Sequence, residues 1–551
     1  MDHFRRPEEL PFTAAERPHT TVLIGGLSLR HDALIKAGLE GLGYRIDTVP
    51  VPRKADFQAG KEYGNNGQCN PTYFTVGALV NLLKRLRDEE GLSAEEITRR
   101  YVFLTAGACG PCRFGMYEAE YRLALKNAGF DGFRVMLFQQ EGGLDQATVE
   151  AGLDMNLSFF LAMLNGIFIG DLLNEVSYHI RPYEVVPGQT QRVIDRCLAL
   201  CEDGLRGRGY DQIRGGRVAG LLSKVAPLKG ADEAQQFLDQ LMGDYYQDLL
   251  RRCAAIIDDE IEVDYTRAKP IVKITGEFWA QTTEGDGNFN MFAFLEREGA
   301  EVLVEPVVTW LGYLLRQAKV KASDERGLDE TQTPLSRFDL RGRLAREARY
   351  GKTRLLLEVA DRILHREYDR LRRALGGTAH EPVCQLELER LGHPFYNSRS
   401  GGGEGHLEVA KNIYYSTQGL AHMVLSLKPF GCMPSTQSDG AQAAVVSRYP
   451  DMIYLPIETS GEGDINAHSR VQMALGEAKA KSKTELRETI AKTGYTLEEL
   501  QSYVAEHREL RRPLLDLPHP EGVAGRAARF YLLVAERMRR EAGARRRVRS
   551  A

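Results

Sequence analysis

A low cysteine content and the lack of a large net charge limit the possible functions of this chain before any motif is considered. Its 551 residues contain only 8 cysteines, and the formal net charge is -4. A charge this close to zero provides no positive field of the kind that draws proteins onto nucleic acid, so no nucleic-acid partner is expected. So few cysteines cannot build the disulfide framework of a small secreted domain, and each cysteine must be explained by its own position.

Long apolar runs are also scarce. The first 20 residues, MDHFRRPEELPFTAAERPHT, contain no apolar core of signal-peptide length. No later segment shows about 18 uninterrupted apolar residues, the length of a membrane span. We therefore predict a cytoplasmic protein without membrane contact. In that reducing compartment, clustered cysteines are metal ligands or catalytic groups more often than structural disulfides.

A phosphate loop for nucleotides is missing as well. GKT occurs at residues 351–353, but the Walker A pattern needs a glycine five residues before Gly351, where Arg346 stands. The glycine cluster NSRSGGGEGHLEVAKN at residues 397–412 follows no clear strand, and it is typical of a flexible loop that caps a helix. We expect no ATP hydrolysis by this chain alone.

Four segments repeat a pattern of a short β-branched run, a helix and a second run. They begin with TVLIGG (21–26), YVFLTAG (101–107), PIVKITGEFW (270–279) and HMVLSLKPFG (422–431). This alternation is typical of βαβ units, which form parallel sheets covered by helices. We predict an α/β fold with two or more parallel-sheet domains, flavodoxin-like or Rossmann-like, with helical insertions and a helical C-terminal tail.

Charged amphipathic helices separate and follow these units. They divide the chain into an N-terminal α/β domain (1–190), a helical segment (191–265), a second α/β region with a helical insertion (266–475) and a helical tail (476–551).

Four cysteines share one setting, a loop that follows a predicted strand and leads into a helix. They are Cys69, Cys109 and Cys112 in the first domain and Cys432 in the second α/β region. Ligands of open α/β sheets gather beyond the carboxyl ends of the strands, so we expect three loops to bring these sulfurs to one region. A helix N-terminus stabilises the thiolate, and a proline suits its first turn. The prolines that follow are Pro71, Pro111 and Pro434.

The other cysteines have a different setting. Cys197, Cys201 and Cys253 lie on predicted helices, and Cys384 lies in EPVCQLELERLGHP. Free cysteine behaves as a small buried hydrophobe, so we expect all four to pack in the core.

The pair C-G-P-C at residues 109–112 is compatible with a redox dithiol, half of a zinc site or part of an iron–sulfur ligand set. Zinc is disfavoured, because a zinc ribbon needs a second C-x-x-C pair and Cys69 and Cys432 stand alone. Four thiolates from three loops can hold a cubane. Three ligands would leave one iron open to substrate or water, and both arrangements remain open.

The cysteine motifs resemble those of a known family. GNNGQCNP, AGACGPCRFGMY, KITGEFW, EGDGNFNMFAFLEREGAEVLVEP, KPFGCMPS and YLPIETSGEGDINAHSRVQMALGEAK are similar to the D-component side of the 2-hydroxyacyl-CoA dehydratase and benzoyl-CoA reductase superfamily. The closest likeness is to the branch of acyl-CoA dehydratase activase-related proteins, and it covers most of residues 20–475.

The resemblance implies a [4Fe-4S] cluster held by Cys69, Cys432 and one or both of Cys109 and Cys112. It also implies low-potential electrons from a separate ATP-hydrolysing activase, and a small substrate such as an acyl-CoA. Family dehydratases usually have one cysteine where this chain has C-G-P-C, so their substrate chemistry is not carried over. A related branch holds a double cubane with six cysteines, and only four are well placed here.

Two functions therefore remain compatible with the sequence. The first is a reductase or dehydratase component of anaerobic metabolism, with oxidoreductase or lyase chemistry. The second is a non-catalytic electron-transfer partner of an activase or dehydratase. A dimer is compatible with either function.

Polar groups on the same loops are weak acid–base candidates. They are Glu277, Glu404 and His406, with Gln140 and Glu141 after the second predicted unit. A carboxylate on a loop is more often a helix cap or a solvated surface group, so no catalytic base is assigned.

Overall fold

The computed structural model describes residues 9–107, 112–139, 152–223, 229–332, 335 and 338–550. Within them lie two four-stranded sheets in which every strand pair is parallel. Helices surround both sheets and form the C-terminal part of the chain. The predicted α/β fold, with parallel-sheet domains, helical insertions and a helical tail, is confirmed.

The eight strands are β1 (Thr21–Ile24), β2 (Arg45–Thr48), β3 (Tyr101–Gly107), β4 (Arg134–Gln139), β5 (Ile271–Gly276), β6 (Glu301–Leu303), β7 (Met423–Pro429) and β8 (Tyr454–Thr459) in the described residues. The first ten α-helices are α1 (Leu29–Glu40), α2 (Lys54–Tyr63), α3 (Asn70–Asp88), α4 (Ala94–Arg100), α5 (Tyr117–Asn127), α6 (Leu157–Ile180), α7 (Gln189–Arg206), α8 (Arg217–Leu222), α9 (Ala231–Met242) and α10 (Tyr245–Glu260). The later ones are α11 (Phe278–Thr282), α12 (Met291–Arg297), α13 (Val307–Gln332), α14 (Leu340–Ala374), α15 (Gln385–Gly392), α16 (Gly405–Thr417), α17 (Met433–Arg448), α18 (Asp464–Thr493), α19 (Leu497–Glu506) and α20 (Arg526–Ser550).

The two sheets have the same topology. The first has the strand order β2-β1-β3-β4 and the second β6-β5-β7-β8. Both follow the flavodoxin-like order 2-1-3-4, in which ligands bind beyond the carboxyl ends of the strands where the strand order reverses. Every residue of β5 and β7 is buried, as expected of strands covered on both faces. Each predicted βαβ unit supplies two neighbouring strands of one of the two sheets.

One helix is apolar enough to resemble a membrane span, which the sequence analysis did not single out. The segment Leu157–Tyr183, containing α6, has a mean hydropathy of 1.6 over its best 18-residue window. Residues of α6 such as Ile169, Leu172 and Leu173 are completely buried, and 78% of that window lies inside the protein. In the described part of the chain, α6 is thus a central core helix.

The tail returns to the core of the first sheet. Phe530 and Val534 of α20 belong to the same apolar cluster as Val22 of β1 and Leu34 of α1. Helix α18 runs without interruption across the predicted boundary between residues 475 and 476. Pattern reading along the chain does not reveal this return, because it depends on contacts between residues hundreds of positions apart.

The carboxyl ends of the two sheets face each other. At the start of α3, the Asn70 backbone N–H donates to the Phe430 carbonyl (3.1 Å), and its side-chain amide donates to the Thr459 carbonyl (2.6 Å). Phe74 of α3 also packs on Trp279 of α11, with ring centroids 5.6 Å apart. The α2–α3 loop therefore meets the loops after β7 and β8 in one region.

Candidate functional site

Cys69 lies at this meeting point as the N-cap residue of α3, and Pro71 follows in the first turn. The residue is buried. Its Sγ lies 3.2 Å from the Thr72 hydroxyl and 3.2 Å from the Tyr117 hydroxyl. The prediction that Cys69 follows a strand directly is wrong, because α2 lies between β2 and this residue. The loop between α2 and α3 therefore presents a sulfur with hydroxyl groups around it.

Cys432 comes from the opposite sheet and is likewise buried at an N-cap, that of α17, with Pro434 in the first turn. The preceding Gly431 has a φ of 78°, a conformation that favours glycine. A β-carbon at Gly431 would lie 3.3 Å from Cys69 Cα, so the missing side chain lets the two cysteine loops pack together. The structure thus brings Cys69 and Cys432 side by side.

Cys112 joins them from the loop after β3. It precedes a short 3-10 helix, Arg113–Met116, and its sulfur accepts a hydrogen bond from the Phe114 N–H (3.5 Å). A β-carbon at Gly403 would lie 3.4 Å from Cys112 Cβ and 2.6 Å from Pro434 Cγ. Cys112 therefore lies next to the start of the Cys432 helix. Cys109, Pro111, Gln140 and Glu141 lie outside the described residues.

The thiols at this site are electrostatically disfavoured as free thiolates. Burial raises the pKa of Cys112 to about 12, and Glu277, Cys69 and Glu404 add to the effect. Burial, with Glu277 beside it, also raises the pKa of Cys432. The expected stabilisation of thiolate by the helix N-terminus is outweighed here. A protonated thiol is a poor nucleophile, and metal coordination also requires its deprotonation.

Glu277 follows β5 directly and is the acid–base candidate with the clearest electrostatics. Its side chain caps α11 by accepting from the Ala280 N–H (3.0 Å), and its own N–H donates to the Leu427 carbonyl on β7 (3.0 Å). Burial raises its pKa to about 7, and Glu404 adds to the shift. Glu277 can therefore hold or release a proton near neutral pH.

Glu404 is buried between two partners. It accepts from the Gln281 amide (3.0 Å) and lies 3.4 Å from the Lys411 ammonium. Burial raises its pKa and Lys411 opposes that shift. His406 instead packs against the Tyr313 ring, with centroids 5.5 Å apart, and burial lowers its pKa to about 4. Of the three candidates, Glu277 and Glu404 influence the pKa of Cys112.

The remaining cysteines divide into two groups. Cys197, Cys201 and Cys253 are completely buried in the main apolar core, which confirms the packing prediction, and Cys201 Sγ lies 3.7 Å from Cys253 Sγ. The prediction for Cys384 is wrong, because this residue is exposed. It precedes α15 at the surface, and its neighbour Val383 takes the inward position.

Sequence reasoning missed the groups that line the cysteine site without being cysteine. Tyr117 contacts Cys69 through its hydroxyl. Its place at the end of the motif AGACGPCRFGMY could have identified Tyr117 as a residue of the site. The glycines at 403 and 431 matter for close approach, which no single-sequence pattern reveals. Gln281 and Lys411, which hold Glu404, are likewise ordinary residues in the sequence.

The described cysteines do not converge as the ligands of one ion do. Within the described ranges, three neighbouring histidine, cysteine or carboxylate ligands occur at Glu175, His179 and His380, whose ligand atoms lie within 4.8 Å of one another. The described cysteines form no such group. In a cubane each iron takes its own cysteine, so the ligand sulfurs surround the cluster instead of a single point. The arrangement therefore speaks against a mononuclear zinc site made by these three thiols.

An open cleft of about 350 Å³ lies along the same facing edges. Lys54 and Arg297 line it together with His468 and the carboxylate of Asp286. Phe289 and Asn290, also in its wall, have φ values of 61° and 50°. Positive φ in residues other than glycine costs energy and is concentrated at functional sites. The cleft is large enough for part of a small-molecule substrate.

Comparison of the chain with protein-family models, with curated proteins and with solved structures finds no match.

Proposed function

We propose that this chain is an iron–sulfur protein, the reductase or dehydratase component that accepts low-potential electrons from a separate ATP-hydrolysing activase. Its substrate is an acyl-CoA or another small molecule, and its location is the cytoplasm. The observation that carries the proposal is the meeting of Cys69, Cys112 and Cys432, from three loops, at the facing edges of two parallel sheets.

The cysteine ligands would have to be deprotonated to hold a cluster. Iron binding would therefore have to offset the burial that raises the pKa of Cys112 and Cys432. Cys69, Cys432 and one or both of Cys109 and Cys112 would hold the cluster. When bound, a [4Fe-4S] cluster supplies one-electron reduction at low potential. A double cubane needs more cysteines than the four placed here.

The polypeptide contributes positioning, exclusion of water and control of a proton. The buried positions of Cys69 and Cys432 keep bulk water from the sulfurs. Glu277 holds a proton beside the thiols with a pKa of about 7. Substrate would approach along the cleft near Phe289 and Asn290.

The alternative is a relay that passes electrons without binding substrate. The paired cysteines of C-G-P-C favour it, because together with Cys69 and Cys432 they provide a complete set of four thiolates. Four-cysteine ligation would leave no iron open to a substrate.

Low-temperature electron paramagnetic resonance tests the proposal directly. Protein purified without oxygen and then reduced with dithionite in the presence of a cognate activase and MgATP should give the signal of a reduced cubane. A silent spectrum from protein that retains its native circular dichroism would contradict the proposal.

Substitution of the two C-G-P-C cysteines distinguishes the two functions. If one iron is open, alanine at the true ligand removes the cluster, whereas alanine at the other cysteine changes only its potential or reactivity. We expect Cys109→Ala and Cys112→Ala to differ in this way. Iron content and the resonance spectrum of each variant are the measurements, and complete loss in both would favour the relay.

Glu277 should couple electron uptake to proton uptake. If a cluster were bound, its reduction would place negative charge near this carboxyl and raise its pKa above about 7, so ionised Glu277 would take up a proton. The midpoint potential should then fall by as much as about 59 mV per pH unit above pH 7 and change little below it. Glu277→Gln keeps an oxygen for the Ala280 N–H but should flatten this dependence.

Redox titration of the wild type and variant between pH 6 and pH 9 measures the effect. Glu521→Gln, which changes an exposed carboxyl outside the cysteine site and the cleft, is the control and should keep the wild-type slope. Equal slopes in the wild type and in Glu277→Gln would remove Glu277 from this role.

A further inference from the structure

A second group of potential ligands lies in the protein interior, on residues separate from the cysteine loops. Glu175 and His179 are one turn apart near the carboxyl end of α6. His380, in the segment after α14, contacts them both. Its Nδ1 lies 2.5 Å from Glu175 Oε1, and its ring centroid lies 5.3 Å from that of His179. His179 Nε2 is 3.6 Å from Glu175 Oε1.

Several polar atoms of this group have no hydrogen-bond partner among the described residues. They are both ring nitrogens of His179 and Oε2 of Glu175. Both side chains are almost completely buried, at 3% and 5% exposure. Buried polar atoms in folded proteins are nearly always hydrogen-bonded, and an unpartnered cluster calls for an absent water or ion. One nitrogen of an imidazole can face an ion, so His179 and Glu175 each offer one buried, unpartnered ligand atom to a common point.

We propose that Glu175, His179 and His380 form a binding site for one divalent first-row transition-metal ion, with Zn²⁺ as its representative. Two imidazoles and one carboxylate are a ligand set that binds such ions and leaves a coordination position for water. Neutral imidazole is the form of histidine that binds such ions. The ion would tie α6 to the segment after α14.

Charged side chains around this site act on a bound cation in both directions. Arg526, Arg529 and His519 face His179 and help to lower its pKa, so they also act against a cation. Arg526 is paired with Glu301 (2.7 Å), and Glu301 Oε1 lies 4.0 Å from His179 Nε2. The carboxyl end of α6 adds partial negative charge. The two carboxylates and the helix end therefore offset the guanidinium groups.

Access to the site is through His380, whose side chain is 31% exposed. Its close contact with Glu175 is shorter than two ligands of one tetrahedral ion can approach each other. Binding therefore requires the His380 ring to turn away from Glu175 Oε1. The exposed position of this histidine permits that movement, whereas His179 and Glu175 stay fixed on α6.

Competition with a coloured zinc chelator tests the site in full-length protein prepared without oxygen. The wild type should bind one equivalent of Zn²⁺, and His380→Asn should weaken binding by more than about 100-fold, since loss of an outer-shell partner alone costs 10-fold to 100-fold. His179→Gln should do the same. His393→Gln, at an exposed histidine hydrogen-bonded to Ser398, is the control and should bind as the wild type does.

Two further measurements separate this site from the cysteines and from zinc held loosely at the surface. Zinc binding should persist in Cys432→Ala, which makes this site independent of the cysteines and of the proposed function. Co²⁺ in place of Zn²⁺ should give visible absorption bands that His380→Asn abolishes, and Zn²⁺ should raise the melting temperature of the wild type. The absence of saturable zinc binding to the wild type would overturn the proposal, as would undiminished binding to His380→Asn. Equal losses in His393→Gln would indicate surface binding and overturn it too.

Discussion

Alanine in place of Cys69 or Cys432 is expected to leave the chain without iron and acid-labile sulfide. Each cysteine comes alone from its own loop, so no neighbouring thiol on that loop can replace it. Removing one ligand from the facing sheet edges should therefore abolish cluster binding completely. Iron and sulfide per chain, measured after purification without oxygen, should fall from several equivalents to near zero.

The matched control is a cysteine buried elsewhere. Cys197→Ala alters a fully buried thiol of the main core and should retain the iron and sulfide content of the wild type. Circular dichroism and thermal unfolding establish that each variant is folded. Full iron content in a folded Cys432→Ala variant would contradict the assignment of this residue as a ligand.

Rapid reduction of the bound iron is expected only when a cognate activase, MgATP and a strong reductant are all present. Low-potential clusters have reduction potentials of roughly −400 mV and below. For a one-electron couple, 59 mV corresponds to about 1.4 kcal/mol, so a deficit of a few hundred millivolts needs an external energy source. GKT at residues 351–353 lies within α14, without the strand and glycine-rich loop of a phosphate site.

Stopped-flow absorbance at the wavelengths of iron–sulfur charge transfer follows this reduction. Mixtures without activase, without ATP or with a non-hydrolysable ATP analogue should remain oxidised on the same timescale. The chain alone should hydrolyse no ATP above background. Full turnover without activase, or robust ATP hydrolysis by this chain, would refute its dependence on a partner.

The sheets could be predicted from the sequence because their signals are local. Runs such as TVLIGG and YVFLTAG are short, β-branched and followed by helices, and they became β1 and β3. The same logic placed Cys432 at a helix N-terminus directly beyond a strand end. Cys69 also lies at a helix N-terminus, but it follows α2 and not a strand. Their approach to each other follows from the rule that sites in open α/β sheets lie at the carboxyl edges.

The missed features depend on distant contacts or on competing electrostatic effects. The packing of α20 depends on distant contacts, such as the ion pair between Arg526 of α20 and Glu301 of β6, which lie 225 positions apart. A helix N-terminus predicts a stabilised thiolate, but burial and Glu277 act more strongly on Cys432. The contact of His380 with Glu175 is equally invisible, because neither residue belongs to a recognisable metal motif.

The central claim is that the cysteines at the facing sheet edges hold iron and sulfide, and parallel analysis of iron, sulfide and zinc in native protein tests it most directly. Protein prepared without oxygen should contain about 4 iron and 4 sulfide per chain for one cubane, both lost in Cys432→Ala. Any zinc should persist in that variant, because it would occupy Glu175, His179 and His380. Native protein without iron and sulfide, carrying zinc that disappears in Cys432→Ala, would contradict the account.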